Sequence, residues 1–457
     1  MSRLSVLCTL AVVLVLNSFA KATKAEPVAH LVFDLETGQV IDDKDAFRPW
    51  YPASVTKLMT AYVTFRAIRS GRISLQSPVV VSANALAEPP SKMGFNVGTE
   101  LTIDNALKMV LVKSANDISV ALGEAVSGSE NGFLADMNYH ARKLGMSRTH
   151  FNNPHGLPDN GQVTTARDIA LLSRALLQEF PEFRHYFKIA AIRHGKRRLK
   201  SANALLERYP GAMGLKTGYI CNSGFNMVAS AERSGRTMVA VVFGAASGMD
   251  RAVYAAGLLD RGFASFGVLP SSARISTMVP PTEPGTLPAD GYCRRAVKPT
   301  AESLLLRHGS KTQGSAAYAS LGRSTQDMLR AALDPKAKSK SKSKKKSRIT
   351  RAQVLDILVG PRTAQEPVRV FVGAPAISVV TGRIPTPDAK PTRVAAIASQ
   401  SVVRQIETGR VAEGGKPPEI DPIDLPGSGG PIEAAAAEIP WPKKVGEFYL
   451  PQPRPAR

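Results

Sequence analysis

Short apolar runs stand near both ends of residues 26–267, and apolar positions at helical spacing fill the stretch between them. His30 to Asp34 and Gln39 to Asp42 read as two strands, with Glu36-Thr37-Gly38 as their turn. Val55, Leu58, Met59 and Tyr62 recur at the spacing of one helix face. Leu101 to Val112, Ile118 to Val126 and Ala166 to Gln178 predict further helices, the last with Thr164 or Thr165 as its N-cap. Phe225 to Ala231 and Thr237 to Phe243 are β-rich runs, and Arg233-Ser234-Gly235-Arg236 between them predicts a hairpin. A helix from Arg251 to Phe266 closes the pattern. Strands from both chain ends with helices between them predict an α/β domain, its antiparallel sheet assembled from both ends and covered by helices.

Beyond residue 267 the periodicity weakens and composition takes over. Of the 33 prolines, 23 lie in residues 268–457. That part carries 29 Lys/Arg against 16 Asp/Glu, while residues 26–267 carry 27 against 21, so most of the net +22 is C-terminal. This distribution excludes a uniformly basic nucleic-acid-binding domain, and no nucleic-acid partner is expected. The expected organisation is one folded domain over 26–267 and a linker over 268–335, with a short helix at Thr325 to Leu333. A basic run over 336–351 follows, with nine Lys or Arg in sixteen residues interleaved with Ser. The Pro-, Gly- and Ala-rich remainder, 352–457, is expected to be disordered. Val368 to Val372 has the composition of a strand, but nothing nearby offers it a sheet.

Residues 1–25 combine Arg3, an apolar run from Leu4 to Leu16, and small residues around Ala20 and Ala25. That is the order of an export signal, and the run is shorter than the roughly 20 residues that span a bilayer. The location implied is the periplasm or cell envelope. Cys8 lies inside the apolar run and not at its end, which argues against a lipid anchor. Cleavage would leave Cys221 and Cys293. Two cysteines make no disulfide framework, and a bridge would tie the domain to its extension, so two free thiols are expected.

Three short motifs carry candidate chemistry. In Ser54-Val55-Thr56-Lys57, positions i and i+3 share a helix face, so a hydroxyl meets an amine there. Pro52 suits a helix start and places Ser54 in the first turn, where backbone N–H groups are free. An unprotonated Lys57 can take the serine proton, which requires a pKa lowered by burial or a second cation. Ser114-Ala115-Asn116 lies between two apolar helical segments, where a turn can present side chains to a cleft. Lys216-Thr217-Gly218 precedes the hairpin, and a strand edge there offers a cation and a hydroxyl to a carboxylate. Gly218 lets a backbone come close. Each motif alone has an ordinary structural reading: an exposed Ser and Lys on a helix, a loop cap, and a turn before a strand. Ser18/Lys21 repeats the first spacing, and Ser82-Ala83-Asn84 and Ser201-Ala202-Asn203 repeat the second tripeptide.

The ordered trio is far more specific than its members. With Tyr51-Pro52-Ala53-Ser54, Lys113-Ser114-Ala115-Asn116-Asp117, Asn153-Pro154-His155-Gly156 and Gly214-Leu215-Lys216-Thr217-Gly218-Tyr219, the chain resembles the serine-type D-alanyl-D-alanine carboxypeptidases. These are the low-molecular-mass penicillin-binding proteins. The resemblance covers about residues 27–267 and implies a β-lactamase/transpeptidase-like domain. It implies that Ser54 forms the acyl-enzyme, Lys57 is its base, and Ser114 passes a proton to the leaving amine. Asn116 holds the substrate amide, and Lys216 and Thr217 bind the terminal carboxylate beside Gly218. The backbone N–H groups of Ser54 and Tyr219 form the oxyanion hole. Peptidoglycan stem peptides are the implied substrate, β-lactams the implied covalent inhibitors, and neither a metal nor an organic cofactor is implied. The family's small β-rich domain and anchor helix are not evident, so the basic run is the expected electrostatic contact with membrane or wall. Three other functions share the motifs: a D,D-endopeptidase, a β-lactamase, and a non-enzymatic wall-binding protein. The absence of a Glu-x-x-x-Asn spacing between Asp117 and Leu215 argues against the β-lactamase.

Overall fold

Strand β1 (Ala29–Asp34) is buried at every residue, which a strand tolerates only inside a sheet covered on both faces. The computed structural model describes residues 29–265, 273–283, 285–296, 298–308 and 349–373. The expected signal segment, the helix expected at Thr325 to Leu333, nearly all of the basic run and everything past residue 373 lie outside those residues.

β1 pairs antiparallel with β2 (Val40–Lys44) on one side and, on the other, with a strand from the far end of the domain. A short pair, β3 (Pro78–Val80) and β4 (Glu100–Thr102), lies in the helical region, and a hairpin of β5 (Ala191–His194) and β6 (Arg197–Lys200) follows it. The long strands are β7 (Ala212–Ile220), β8 (Gly224–Arg233) and β9 (Arg236–Ala245). The main sheet runs β2-β1-β9-β8-β7, antiparallel throughout, as the sequence predicts. β7 is its edge. The β8–β9 turn puts Ser234 at φ 49° and Gly235 at φ 75°, the mirror-image turn that matches strand twist.

The chain supplies α1 (Lys57–Arg69), α2 (Ala83–Ala87), α3 (Ile103–Lys108), α4 (Asn116–Ser127), α5 (Glu130–Lys143), α6 (Ala166–Glu179), α7 (Arg184–Phe187) and α8 (Gly248–Ala264). Thr165 caps α6 by accepting from Asp168 N. The period of two along β9 divides the core. Val239, Val241 and Phe243 face the cluster that contains α1, α4 and α6, while Met238, Ala240 and Val242 face α8.

Three expectations need correction. The folded domain does not end at residue 267. Leu304 and Leu305 of α10 (Ala301–His308) and Val354 and Ile357 of α11 (Arg351–Leu358) are fully buried beside α8. Nor do 268–298 and 352–373 behave wholly as linker and tail. Ile275 is buried, Tyr292, in the short helix α9 (Tyr292–Arg295), packs edge-on against Trp50, and β10 (Val368–Arg369) adds a parallel strand to β5. These elements are short, and the surfaces they cover are remote in sequence. Cys221 and Cys293 are joined in a disulfide and are not free thiols. The bridge holds the β7–β8 turn to the segment beside Trp50, because that segment belongs to the fold.

Candidate active site

Ser54 lies in a 3₁₀ turn, Ala53–Thr56, that runs directly into α1. The turn is held from three sides. Asn226 of β8 donates to Tyr51 O at 2.9 Å and Pro52 O at 3.2 Å, while its own Oδ1 accepts from Gly244 N. Gly156, at φ 88°, lies so close that a Cβ there would overlap the Ala53 carbonyl. On the third side Gly218 of β7 lies against it; a Cβ there would be 2.9 Å from Pro52 O and 3.0 Å from Ser54 N. Ala53 is itself held at φ 48°, a conformation that persists only where surroundings impose it.

Lys57 is fully buried at the first turn of α1. Its Nζ lies 2.8 Å from Asn116 Oδ1, 2.7 Å from the His155 carbonyl and 3.2 Å from Ser54 Oγ. Two of these neighbours are carbonyl oxygens, which only accept. A neutral amine satisfies both with its two N–H bonds and keeps its lone pair for the Ser54 hydroxyl proton. Burial, and then the charge of Lys216, push Lys57 well below the ordinary lysine range, and Glu88 and Asp117 oppose this. The arrangement is that of a serine with its base in place.

Ser114 follows a π-helical turn, Met109–Lys113, and takes the left-handed conformation at φ 65°. That break aims its hydroxyl across the cleft, 3.0 Å from Lys216 Nζ. Lys216 also donates to Thr217 O at 2.9 Å. Burial first, and the nearby Arg251 second, lower Lys216 to about 7. Arg251 Nη1 donates to the carbonyls of Asn226 and Gly218, tying α8 to the back of both strands. Thr217 is buried, and Tyr219 is half exposed with its ring against Phe225.

Ser54 and Asn116 therefore meet around the Lys57 amine, and Ser114 meets Lys216, whose charge reaches Lys57. Asn116 is the qualified case. Its Oδ1 accepts from Lys57 and one amide hydrogen goes to Pro89 O at 2.8 Å, so one amide hydrogen remains for a substrate. The loop after α2 also shapes the site, and no sequence motif marks it. Asn116 N donates to Ser91 O, Ser91 Oγ to Lys113 O, and Met93 and Gly94 N–H groups to the Asp117 carboxylate. Glu88 accepts from His155 Nε2 at 3.0 Å, and His155 Nδ1 accepts from Leu157 N. This fixes the side chain of the residue whose backbone carbonyl accepts from Lys57. Asn116 and Asp117 were the only sequence signals for this loop, since its own contacts are mostly backbone. Among the described residues, no cluster of His, Cys, Asp or Glu has metal-binding geometry.

A family model described as D-alanyl-D-alanine carboxypeptidase matches residues 17–247. The chain is 31% identical over 273 residues to the D-alanyl-D-alanine carboxypeptidase DacF of Bacillus subtilis, covering 57% of this chain and 70% of that one. It is 36% identical over 259 residues to DacD of Salmonella typhimurium, covering 54% and 66%. Among solved structures it is similar to penicillin binding protein 6B from Escherichia coli, with TM-score 0.50 and 34% identity, covering 54% of this chain and 80% of that one. Penicillin binding protein 5 from Haemophilus influenzae matches with TM-score 0.50 and 30% identity, covering 52% and 71%.

Proposed function

This chain belongs to the D-alanyl-D-alanine carboxypeptidase family, and we propose that it removes the terminal D-alanine from peptidoglycan stem peptides through an acyl-enzyme on Ser54. The observation that carries the reading is Lys57 Nζ, which faces two carbonyl acceptors and the Ser54 hydroxyl. Ser54 Oγ attacks the carbonyl of the penultimate D-alanine while Lys57 takes its proton. The N–H groups of Ser54 and Tyr219 stabilise the oxyanion. Ser114 passes a proton to the departing D-alanine amine, and Lys216 and Thr217 hold its carboxylate. The remaining amide hydrogen of Asn116 binds the substrate backbone, which lies along the free edge of β7 as an added strand. Water then releases the acyl group. β-Lactams acylate the same serine. Mass spectrometry of muropeptides digested by the purified protein tests this. Loss of one D-alanine from pentapeptides is expected, and cleavage of cross-linked dimers without that loss would overturn it.

Lys216→Ala removes a charged hydrogen bond worth about 1.5–3 kcal/mol. The rate on a free-carboxylate peptide should fall roughly 10- to 150-fold, with a smaller loss on its C-terminal amide. An equal loss on both substrates would contradict the role. The pH dependence follows with its sign. The rate rises as Lys57 loses its proton and falls above about pH 7 as Lys216 loses the charge that holds the carboxylate. The amide substrate should lack the alkaline fall.

The Cys221–Cys293 disulfide supports export to an oxidising compartment. The basic run at 336–351 supplies nine cations, each worth about 1 kcal/mol near an anionic surface and screened by salt. We infer that it tethers the enzyme to the envelope. Full-length protein with the run's Lys replaced by Ser should lose salt-sensitive binding to phosphatidylglycerol vesicles, and equal binding would sink the tether.

A further inference from the structure

Residues 349–373 grip the segments that lead into both walls of the cleft. At one end α11 is packed into the second core through Val354 and Ile357. From there the chain fastens onto residues 205–208. Arg208 donates to the Asp356 carboxylate and to Gly360 O. Arg362 meets the Glu207 carboxylate through two bonds, 2.7 and 3.1 Å. Thr363 N donates to Glu207 O at 2.6 Å, and Gln365 Nε2 to Leu206 O at 2.8 Å. Residues 205–208 lead within a few positions into β7, which carries Lys216.

The other end reaches the helical lobe. β10 pairs with β5, Val370 N donates to Arg193 O at 2.9 Å, and the Val370 side chain is buried in the first core. Phe371 N donates to Asn105 Oδ1 at 3.1 Å and Gly373 N to Glu100 O at 2.6 Å. Asn105 is on α3, which continues through the π-helical turn to Ser114. One run of backbone thus joins the segment before Lys216 to the segment before Ser114. These two residues lie 102 positions apart in the chain and meet at 3.0 Å across a cleft that must stay open to substrate.

We propose that residues 349–373 are a clamp that holds the Lys-Thr-Gly strand and the Ser-x-Asn turn at their working separation. A paired bidentate ion contact and a sheet pairing at opposite ends resist opening of the cleft from outside it. Misplacement of catalytic groups by about 1 Å is enough to lower a rate by 10²-fold.

The proposal rests on the peptidase reading above. Failure of that reading shows as an unreactive wild type, whereas failure of the clamp shows as variants that react like wild type. The test uses full-length protein carrying Arg362→Ala together with Val370→Pro, which removes the N–H that reaches Arg193. Three quantities are measured: the acylation rate with a fluorescent penicillin, the ratio of cleavage of a free-carboxylate peptide to that of its C-terminal amide, and the melting temperature. Acylation should slow by about 10- to 100-fold, and the carboxylate preference should narrow because Lys216 loses its alignment. Acylation within two-fold of wild type overturns the clamp. So does a slower rate with an unchanged preference, which would mark a structural role only. If the double variant does not fold, Arg362→Lys keeps the charge but loses the two-pronged contact. It should then narrow the preference by a smaller factor, and an unchanged preference would overturn the clamp.

Discussion

Replacing Ser54 with alanine is expected to abolish both D-alanine release and covalent penicillin labelling. Among the described residues, Ser54 Oγ is the serine hydroxyl that lies against the Lys57 amine. Without it no bond forms to the substrate carbonyl, and the oxyanion N–H groups have no intermediate to stabilise. Lys57→Ala should be nearly as damaging, because the hydroxyl loses its base. The two act as a unit, so the double variant should be no worse than Ser54→Ala alone. Losses for such units reach about 10⁶-fold in comparable serine hydrolases. Intact-mass detection of the penicilloyl adduct checks this. An adduct on Ser54→Ala would place the nucleophile elsewhere.

The second large effect comes from a residue that carries no chemistry. Gly218→Ala adds one carbon 2.9 Å from Pro52 O, 3.0 Å from Ser54 N and 3.1 Å from Ala53 Cβ. Two of those atoms belong to backbone that Asn226, Gly156 and the start of α1 already hold. Either β7 or the nucleophile turn must shift, and the Ser54 N–H moves off the oxyanion. Loss of one such donor costs about 10²- to 10³-fold in kcat. The strand pairing of β7 with β8 is kept, so the variant should still fold, with a melting temperature lowered by the overpacking. A Gly218→Ala enzyme acylated at the wild-type rate would show that the contact is slack.

Much of this was legible without coordinates. β1, β2, β8 and β9 announced themselves by short apolar runs, and the β8–β9 turn by Ser234-Gly235. α6 was marked at its start by Thr165. The three motifs were legible because each holds its chemistry within a few residues, and their order made them specific. Other parts were not. α5 and the β5–β6 hairpin drew no assignment, since both are largely polar on their outer faces. Ser114 was placed in a turn, but nothing in its neighbours specified the π-helical turn or the left-handed residue that aims it.

What the sequence determined by itself is local: a hydroxyl and an amine one turn apart, and a hairpin closed by Ser-Gly. What the tertiary structure decided is everything that depends on distance across the fold. Lys57 can stand neutral beside Ser54 because burial and Lys216, 159 positions later, lower its proton affinity. Asn116 is committed to Lys57 and to Pro89 O because the two converge on it. Cys221 found Cys293, and Val368 found β5, because residues past 267 fold back onto the domain. Such contacts leave no periodic trace in the chain, since each partner obeys only the geometry of the other.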